Sequence, residues 1–258
     1  MKLSADYHTH TTFSHGKGSI IDNAVSAKNA GIKVLGITDH GFSHPAFGIR
    51  PRKIKAMQEQ IKIAKDQTGV DVLLGIESNI IGIDGTIDIK PKHYDQFDLI
   101  IAGLHKFVLY KPYTYVALFF PNFFREKILS GKPSKSLIER NTKTYINVIK
   151  NNPVDIISHI NFGAFSNPVE VAKVARDYNT RIELNAKKTH ITDEELYEMA
   201  NTGVHFVINS DAHSPNRVGE ISLVLKQLER VNVKKEQIDN VDGKIPKLRF
   251  AQFKEGKK

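Results

Sequence analysis

Short apolar, β-branched segments alternate along the chain with longer stretches of helical periodicity. The strand-like segments are Leu3–His8, Lys33–Thr38, Val70–Glu77, Asp98–Leu104, Val154–His159, Arg181–Asn185 and His205–Asn209. Runs such as Val72-Leu73-Leu74-Gly75-Ile76 show no polar alternation, which suits strands covered on both faces. Helical periodicity falls at about 20–30, 52–67, 136–150, 168–178, 193–202 and 217–230. Gly31, Gly69 and Gly203 follow three of these stretches, where a C-cap glycine belongs. Asp193, ahead of Glu194 and Glu195, marks a helix start. Seven strands alternating with helices predict an α/β fold with a parallel sheet, most simply closed into a barrel. With no repeat and no linker, residues 1–258 are read as one domain.

Residues 106–135 break the rhythm. Eight of the 14 Phe and 8 Tyr fall between Phe107 and Phe124. The segment is read as an insertion with a small core of its own, with a lid over a site or a protein contact as the functional alternative. The longest apolar runs are far too short to cross a bilayer, and MKLSADYHTH carries no signal-peptide core, so a cytoplasmic protein is expected. Zero cysteines exclude disulfides, thiolate-bound zinc and a cysteine nucleophile. The net charge of +9 is compatible with anionic substrates, yet the lysines are scattered and read as solvated surface.

Chemistry enters with the histidines. His8 and His10 stand two apart at the end of the first strand, and Asp211 and His213 stand two apart at the end of the last. Residues two apart on an extended strand share a face, so each pair presents two ligands to one place. His40, Glu77, His105 and His159 end the second to fifth strands, and His15 follows the first in a short loop. In a parallel barrel the carboxyl ends of strands converge on one face, where active sites are built. Seven imidazoles and two carboxylates suit zinc, manganese or iron, and nine ligands exceed what one ion takes, so two or three ions follow. His44, His93, His190 and His205 are read as packing or surface residues, with only His190 in reach of a substrate. Asp6 and Asp39 are candidates for orienting imidazoles through the other ring N–H. Glu183 is read as a structural ion pair, and Asn185 as facing the pocket. Lys106, Arg50, Arg52, Lys187 and Arg217 are candidate phosphate contacts, and Gly16-Lys17-Gly18 is a plain turn.

Tyr7-His8-Thr9-His10, Ser14-His15-Gly16, Ile37-Thr38-Asp39-His40, Gly75-Ile76-Glu77, Gly103-Leu104-His105, Ile157-Ser158-His159 and Ser210-Asp211-Ala212-His213 together resemble the motifs of the PHP superfamily (polymerase and histidinol phosphatase) over residues 5 to 222. The likeness is to its single-domain bacterial phosphatases. The resemblance implies a distorted (β/α)7 barrel, similar to a TIM barrel, with up to three metals, commonly zinc. It implies one metal on His8, His10, Glu77 and Asp211, a second on His15, His40 and His213, and a third on His105 and His159 with Glu77 bridging. The expected function is hydrolysis of a phosphomonoester of a small metabolite by hydroxide made at the metals, with Asp6, Glu77 and Asp211 as catalytic carboxylates. Several divalent cations outweigh two carboxylates, so the pocket favours phosphate. The alternatives are a 3′–5′ exonuclease or phosphodiesterase on nucleic acid, a histidinol-phosphate phosphatase, and a non-catalytic scaffold that binds a partner through Phe107–Phe124.

Overall fold

A computed structural model describes residues 1–124 and 133–256. Seven strands form one parallel sheet in sequence order: β1 (Ala5–Thr9), β2 (Val34–Ile37), β3 (Asp71–Asn79), β4 (Leu99–Gly103), β5 (Ile156–Ile157), β6 (Arg181–Asn185) and β7 (Phe206–Asn209). Continuous apolar runs make these strands because helices cover their outer face and a second apolar cluster fills the inside. Leu35, Ile37, Val72, Leu74, Ile76, Ile182 and Ile208 pack outward with helical residues such as Met57, Ile61 and Val171. Ala5, Tyr7, Val34, Leu99, Ile101, Ile156 and Val207 pack inward, with Leu248 of the C-terminal segment. Strands and helices alternate into a distorted (β/α)7 barrel.

The β7–β1 seam closes the barrel without a continuous ladder. Thr9 and Ala212 form an isolated parallel bridge, and the His10 N–H donates to the Ala212 carbonyl at 2.8 Å. Asparagine side chains supply the rest. Asn209 Oδ1 accepts from the Tyr7 N–H at 2.9 Å. Asn240, fully buried, donates to the Ala5 and Ile208 carbonyls at 2.7 Å each and accepts from the Ile208 N–H at 3.0 Å. One side-chain amide thus replaces the peptide groups of a missing ladder.

Local chemistry explains the helix ends. Gly31, Gly69 and Gly203 adopt φ of +72°, +74° and +81° behind their helices, a region that penalises a Cβ. Helix Asp193–Asn201 starts one residue earlier than the acidic run suggests: Thr192 is the N-cap and forms a capping box with Glu195. The helix expected over 217–230 is shorter, a 3-10 turn at Pro215–Arg217 and then Ser222–Leu228. β5 pairs over two residues only, against the six expected, because His159 already turns away with φ of +26°.

In the aromatic segment, Pro112–Thr114, Tyr115–Phe119 and Phe120–Phe124 are consecutive helical stretches, the middle one a π-turn. Pro121 has no N–H to give the preceding turn, and the Ala117 carbonyl takes its bond from Arg140 at 2.8 Å instead. Residues 125–132, part of the segment read as a possible lid, lie outside the described residues. No helix among the described residues is long and apolar enough to cross a membrane.

Candidate metal centre

The strands bring all nine expected ligands to one rim. His8 and His10 are fully buried, with ring centroids 5.1 Å apart. Glu77 lies in β3, two residues before its end at Asn79, and His105 follows β4. His40 is carried beside β3 by a parallel bridge to Glu77. His15 stacks on His40 at 4.8 Å and meets His213 edge-on at 4.3 Å.

Glu77 is the hub. Its Oε1 lies 2.7 Å from His159 Nε2, 3.0 Å from His105 Nε2 and 3.3 Å from His8 Nε2. Its Oε2 lies 2.9 Å from His40 Nδ1 and 3.6 Å from His10 Nε2. Asp211 Oδ1 lies 3.2 Å from His213 Nδ1 and 3.4 Å from His10 Nε2. Gly103 leaves room for the rings, since a Cβ there would fall 2.8 Å from the His159 ring and 2.5 Å from Ser158 Oγ.

Four overlapping groups have potential ligand atoms within 4.8 Å of one another: His10, His15, His40 and His213; His8, His10 and Asp211; His8, Glu77 and His159; and His40, Glu77 and His105. The groups overlap, since His8, His10, His40 and Glu77 each belong to two of them.

The donor chemistry fits cations. His8 Nδ1 is 2.7 Å from Glu183 Oε1, which holds a proton on that ring nitrogen, and His8 Nε2 faces His10 Nε2 at 3.1 Å. His40 Nδ1 and Glu77 Oε2 are 2.9 Å apart and buried, yet not aligned as a hydrogen bond. Ring nitrogens and carboxylate oxygens crowded together in a dry site need positive charge among them, as protons or as metal ions.

Charges tell the same story. Burial alone would raise the Glu77 carboxyl, but the imidazoles of His105, His8 and His40 hold it well below its usual range. Burial likewise opposes ionisation of Asp211, and His8 and its neighbours again prevail. His10 is pushed well down by burial, and His15 down to about 4 by burial and then by His213 and His40. Against burial, Glu183, Glu77 and Asp211 hold His8 well above its usual value, so a divalent ion bound there would take the place of a proton.

The carboxylate behind His8 is Glu183, and not Asp6. Alternation from Asp6 to His8 predicts a shared face, but the β1 register slips between Asp6 and Thr9. Ala5 and Tyr7 both pack inside the barrel, so Asp6 between them faces outward, and the bulge lets His8 follow Tyr7 inward. Asp6 accepts from the Ser210 hydroxyl and N–H and from the Gly219 and His8 N–H groups, away from the cleft. It pins the loop that presents Asp211. Asp39 acts in a similar way. It accepts from the Thr11 N–H and hydroxyl and from Ser14, holding the turn that carries His15.

Glu183, expected as a structural ion pair, takes four donors. They are His8 Nδ1 at 2.7 Å, the His159 N–H at 2.8 Å, and the amides of Asn209 and Asn185 at 2.9 Å each. Asn185 also donates to Asp211 Oδ2 at 3.2 Å. His159 and Asp211 have φ of +26° and +49°, which is strained for side chains of their kind, and this network holds both. A signal for this role exists in the sequence: Arg181, Glu183 and Asn185 are three polar residues on the inward row of a buried strand. Glu183→Gln places an amide N–H₂ against donors it cannot accept from. Zinc affinity is expected to fall about 10- to 100-fold while the melting profile stays two-state; chelator competition measures the first, and unchanged affinity removes Glu183 from the site.

The cleft over this rim has an outline of about 760 Å³ and is walled by His15, His40, Glu77, His105, His159, Phe162, Asn185, Lys187, Lys188, His190, Asp211 and His213. Of the candidate phosphate contacts, only Lys187 lines it. Its Nζ lies 3.1 Å from His213 Nδ1 and 3.5 Å from Asp211 Oδ1. Lys188, which sequence reasoning does not single out, lines it too. Arg50 donates to the Pro45 carbonyl away from the cleft, and Lys106 borders a neighbouring slot. His190 reaches the cleft, and His44 stacks on His40 at 5.6 Å from outside it.

A parallel seven-stranded barrel with clustered imidazoles and carboxylates at the carboxyl ends of its strands is the arrangement of a metal-dependent hydrolase. The chain belongs to the PHP domain family, whose profile matches residues 6–248. A probable phosphatase of Thermoanaerobacter sp. (strain X514) is 31% identical over 264 residues, 95% of this chain and 94% of that one. A probable phosphatase of Clostridium botulinum (strain Hall) is 31% identical over 268 residues, covering 96% and 94%. Among solved structures, the histidinol phosphate phosphatase of Lactococcus lactis, complexed with zinc, L-histidinol and phosphate, aligns with a TM-score of 0.60 at 13% identity over 96% of this chain and 100% of that one.

Proposed function

We propose that this chain hydrolyses the phosphomonoester of a small molecule at a cluster of up to three divalent ions, zinc foremost, with manganese or iron as alternatives. The single observation that carries the reading is the convergence of five imidazoles on the buried Glu77 carboxylate. His8, His10, His15, His40, Glu77, His105, His159, Asp211 and His213 would hold the ions. Bound there, divalent ions supply charge for phosphoryl oxygens and activate water.

The chain's own residues do the remaining work. Lys187 and Lys188 bring cationic groups to the cleft, where they draw in a phosphate dianion. Glu183 fixes the His8 tautomer, and Asn185 aims Asp211. Glu77 and Asp211 remain as carboxylates facing the reacting group, while Asp6 acts on the loop behind them. The depth of the ligands, most of them fully or nearly buried, limits water and strengthens each charge interaction.

The test is direct. Protein loaded with zinc or manganese is expected to release p-nitrophenol from p-nitrophenyl phosphate, a chelator to abolish turnover, and metal to restore it. No turnover with zinc, manganese or iron, or turnover indifferent to chelator, overturns the reading. Faster cleavage of single-stranded DNA than of the monoester would move it to a phosphodiesterase.

A further inference from the structure

We infer that two copies of this chain pair through the outer face of the aromatic segment, each copy's face against the same face of the other. The inference goes beyond phosphoester hydrolysis and does not depend on it. Phe107 is 65% exposed, Tyr113 69%, Val116 67%, Phe120 42% and Phe124 47%. Elsewhere exposed apolar side chains come one to a helix, as Val25, Ile63, Tyr197 and Leu223 do, which is ordinary for a surface.

The segment is patterned in reverse. A surface helix turns its apolar side inward and its polar side to water. Here the buried positions are Thr114, Ala117 and Asn122, small or polar, beside one large apolar residue, Leu118. The positions in water are Tyr113, Val116, Phe120 and Phe124, and no charged residue occurs between Pro112 and Phe124. Phe107 joins them through Phe119, with ring centroids 6.3 Å apart. The inner side is fixed. Asn122 exchanges hydrogen bonds with Asn141 at 3.1 and 3.0 Å, and Arg140 donates to the Ala117 carbonyl at 2.8 Å. Rolling the segment to hide its rings would strand these buried groups.

Spacing names the occupant. Val116, Phe120 and Phe124 stand four apart on successive helical turns, with Tyr113 one turn before them. Side chains four apart form a ridge that packs into the groove of another helix. The ridge is exposed, so among the described residues no helix of this chain fills that place. A two-fold axis supplies one, because each copy offers both ridge and groove and a single surface serves twice.

The area agrees. From the size of aromatic side chains, the exposed parts of Phe107, Tyr113, Val116, Phe120 and Phe124 leave roughly 600 Å² of apolar surface in water. Monomers tolerate a largest patch of about 300–600 Å², and a stable pair covers about 800 Å² on each partner. Half-buried Tyr115, Phe119 and Phe123 extend the patch. Lys111, paired with Asp84 at 2.7 Å, begins a polar rim of the kind that surrounds an aromatic interface core. The interface would also bear on the metal rim: Tyr110 donates its hydroxyl to the His105 carbonyl, and its ring lies 5.4 Å from Tyr115 and 5.7 Å from Phe119.

Sedimentation equilibrium of the metal-loaded full chain at micromolar concentration is expected to give twice the 29.0 kDa of one chain. Val116→Glu and Phe120→Glu set like charges against each other across the axis. Each is expected to raise the dissociation constant of the dimer at least about a hundredfold, with the far-ultraviolet circular dichroism spectrum unchanged because both positions are exposed. Should one of the two fail to fold, the other decides. Tyr197→Glu, at an exposed position on another helix, is expected to leave the dimer intact. A wild-type chain that sediments as a monomer, or as any assembly other than a dimer, overturns the inference. So does a dimer that survives a folded Val116→Glu or Phe120→Glu, or one that Tyr197→Glu dissociates equally. A monomer that binds vesicles of phosphatidylcholine and phosphatidylserine, and loses them in Val116→Glu, overturns it in favour of a membrane surface. None of these outcomes touches the phosphoesterase reading.

Discussion

Glu77→Gln is expected to lower kcat/KM by at least about a thousandfold, on the scale of several kcal/mol that a metal ion contributes to a phosphoryl transition state. Five imidazoles lie within 3.6 Å of this one carboxylate. Glutamine fits the space, but its N–H₂ donates to the lone pairs that the cations need, and one negative charge is gone from the middle of the cluster. Metal content measured by elemental analysis is expected to fall with activity. The fold is expected to persist, because the inward apolar cluster lies below the rim and does not include Glu77. Activity within tenfold of wild type, with full metal content, would show that Glu77 is not the shared ligand.

Asn240→Ala is expected to be the most damaging change away from the rim. Truncation leaves the Ala5 and Ile208 carbonyls and the Ile208 N–H without their buried partner. At about 1–3 kcal/mol for each stranded group, partly relieved by water, a loss of about 3–5 kcal/mol follows. For a chain of this size that is a drop of about 10 °C in melting temperature, which circular dichroism would read. A shift below about 2 °C would mean that the seam does not depend on this side chain.

The sequence showed the barrel because its strands are buried on both faces and read as unbroken apolar runs, and because glycines punctuate the helices. It showed the nine rim residues because ligand chemistry needs particular residue types at strand ends. What stayed hidden required long-range contact. The bulge in β1 leaves no compositional mark, so strand alternation alone puts Asp6 beside His8. Three polar residues mark the inward row of β6, but which group Glu183 serves shows only once His8, 175 positions away, is in place. Nothing around Asn240 suggests a role in closure, since its partners lie at the opposite end of the chain and in β7. The aromatic segment is conspicuous as composition, but which of its side chains stay in water shows only in the fold.

The seam has one more consequence. His8 and His10 leave β1, whereas Asp211 and His213 leave β7, and they meet across the junction where strand pairing is thinnest. A cation held by these residues would be gripped from both sides, a cross-link between the first and last staves of the barrel in a chain with no cysteine to make one. Like a disulfide closing a long loop, it restricts the unfolded chain most because the joined residues are so distant. An ion held there would serve as reagent and rivet, and a cell short of metal would then hold a catalyst both idle and looser at its edge.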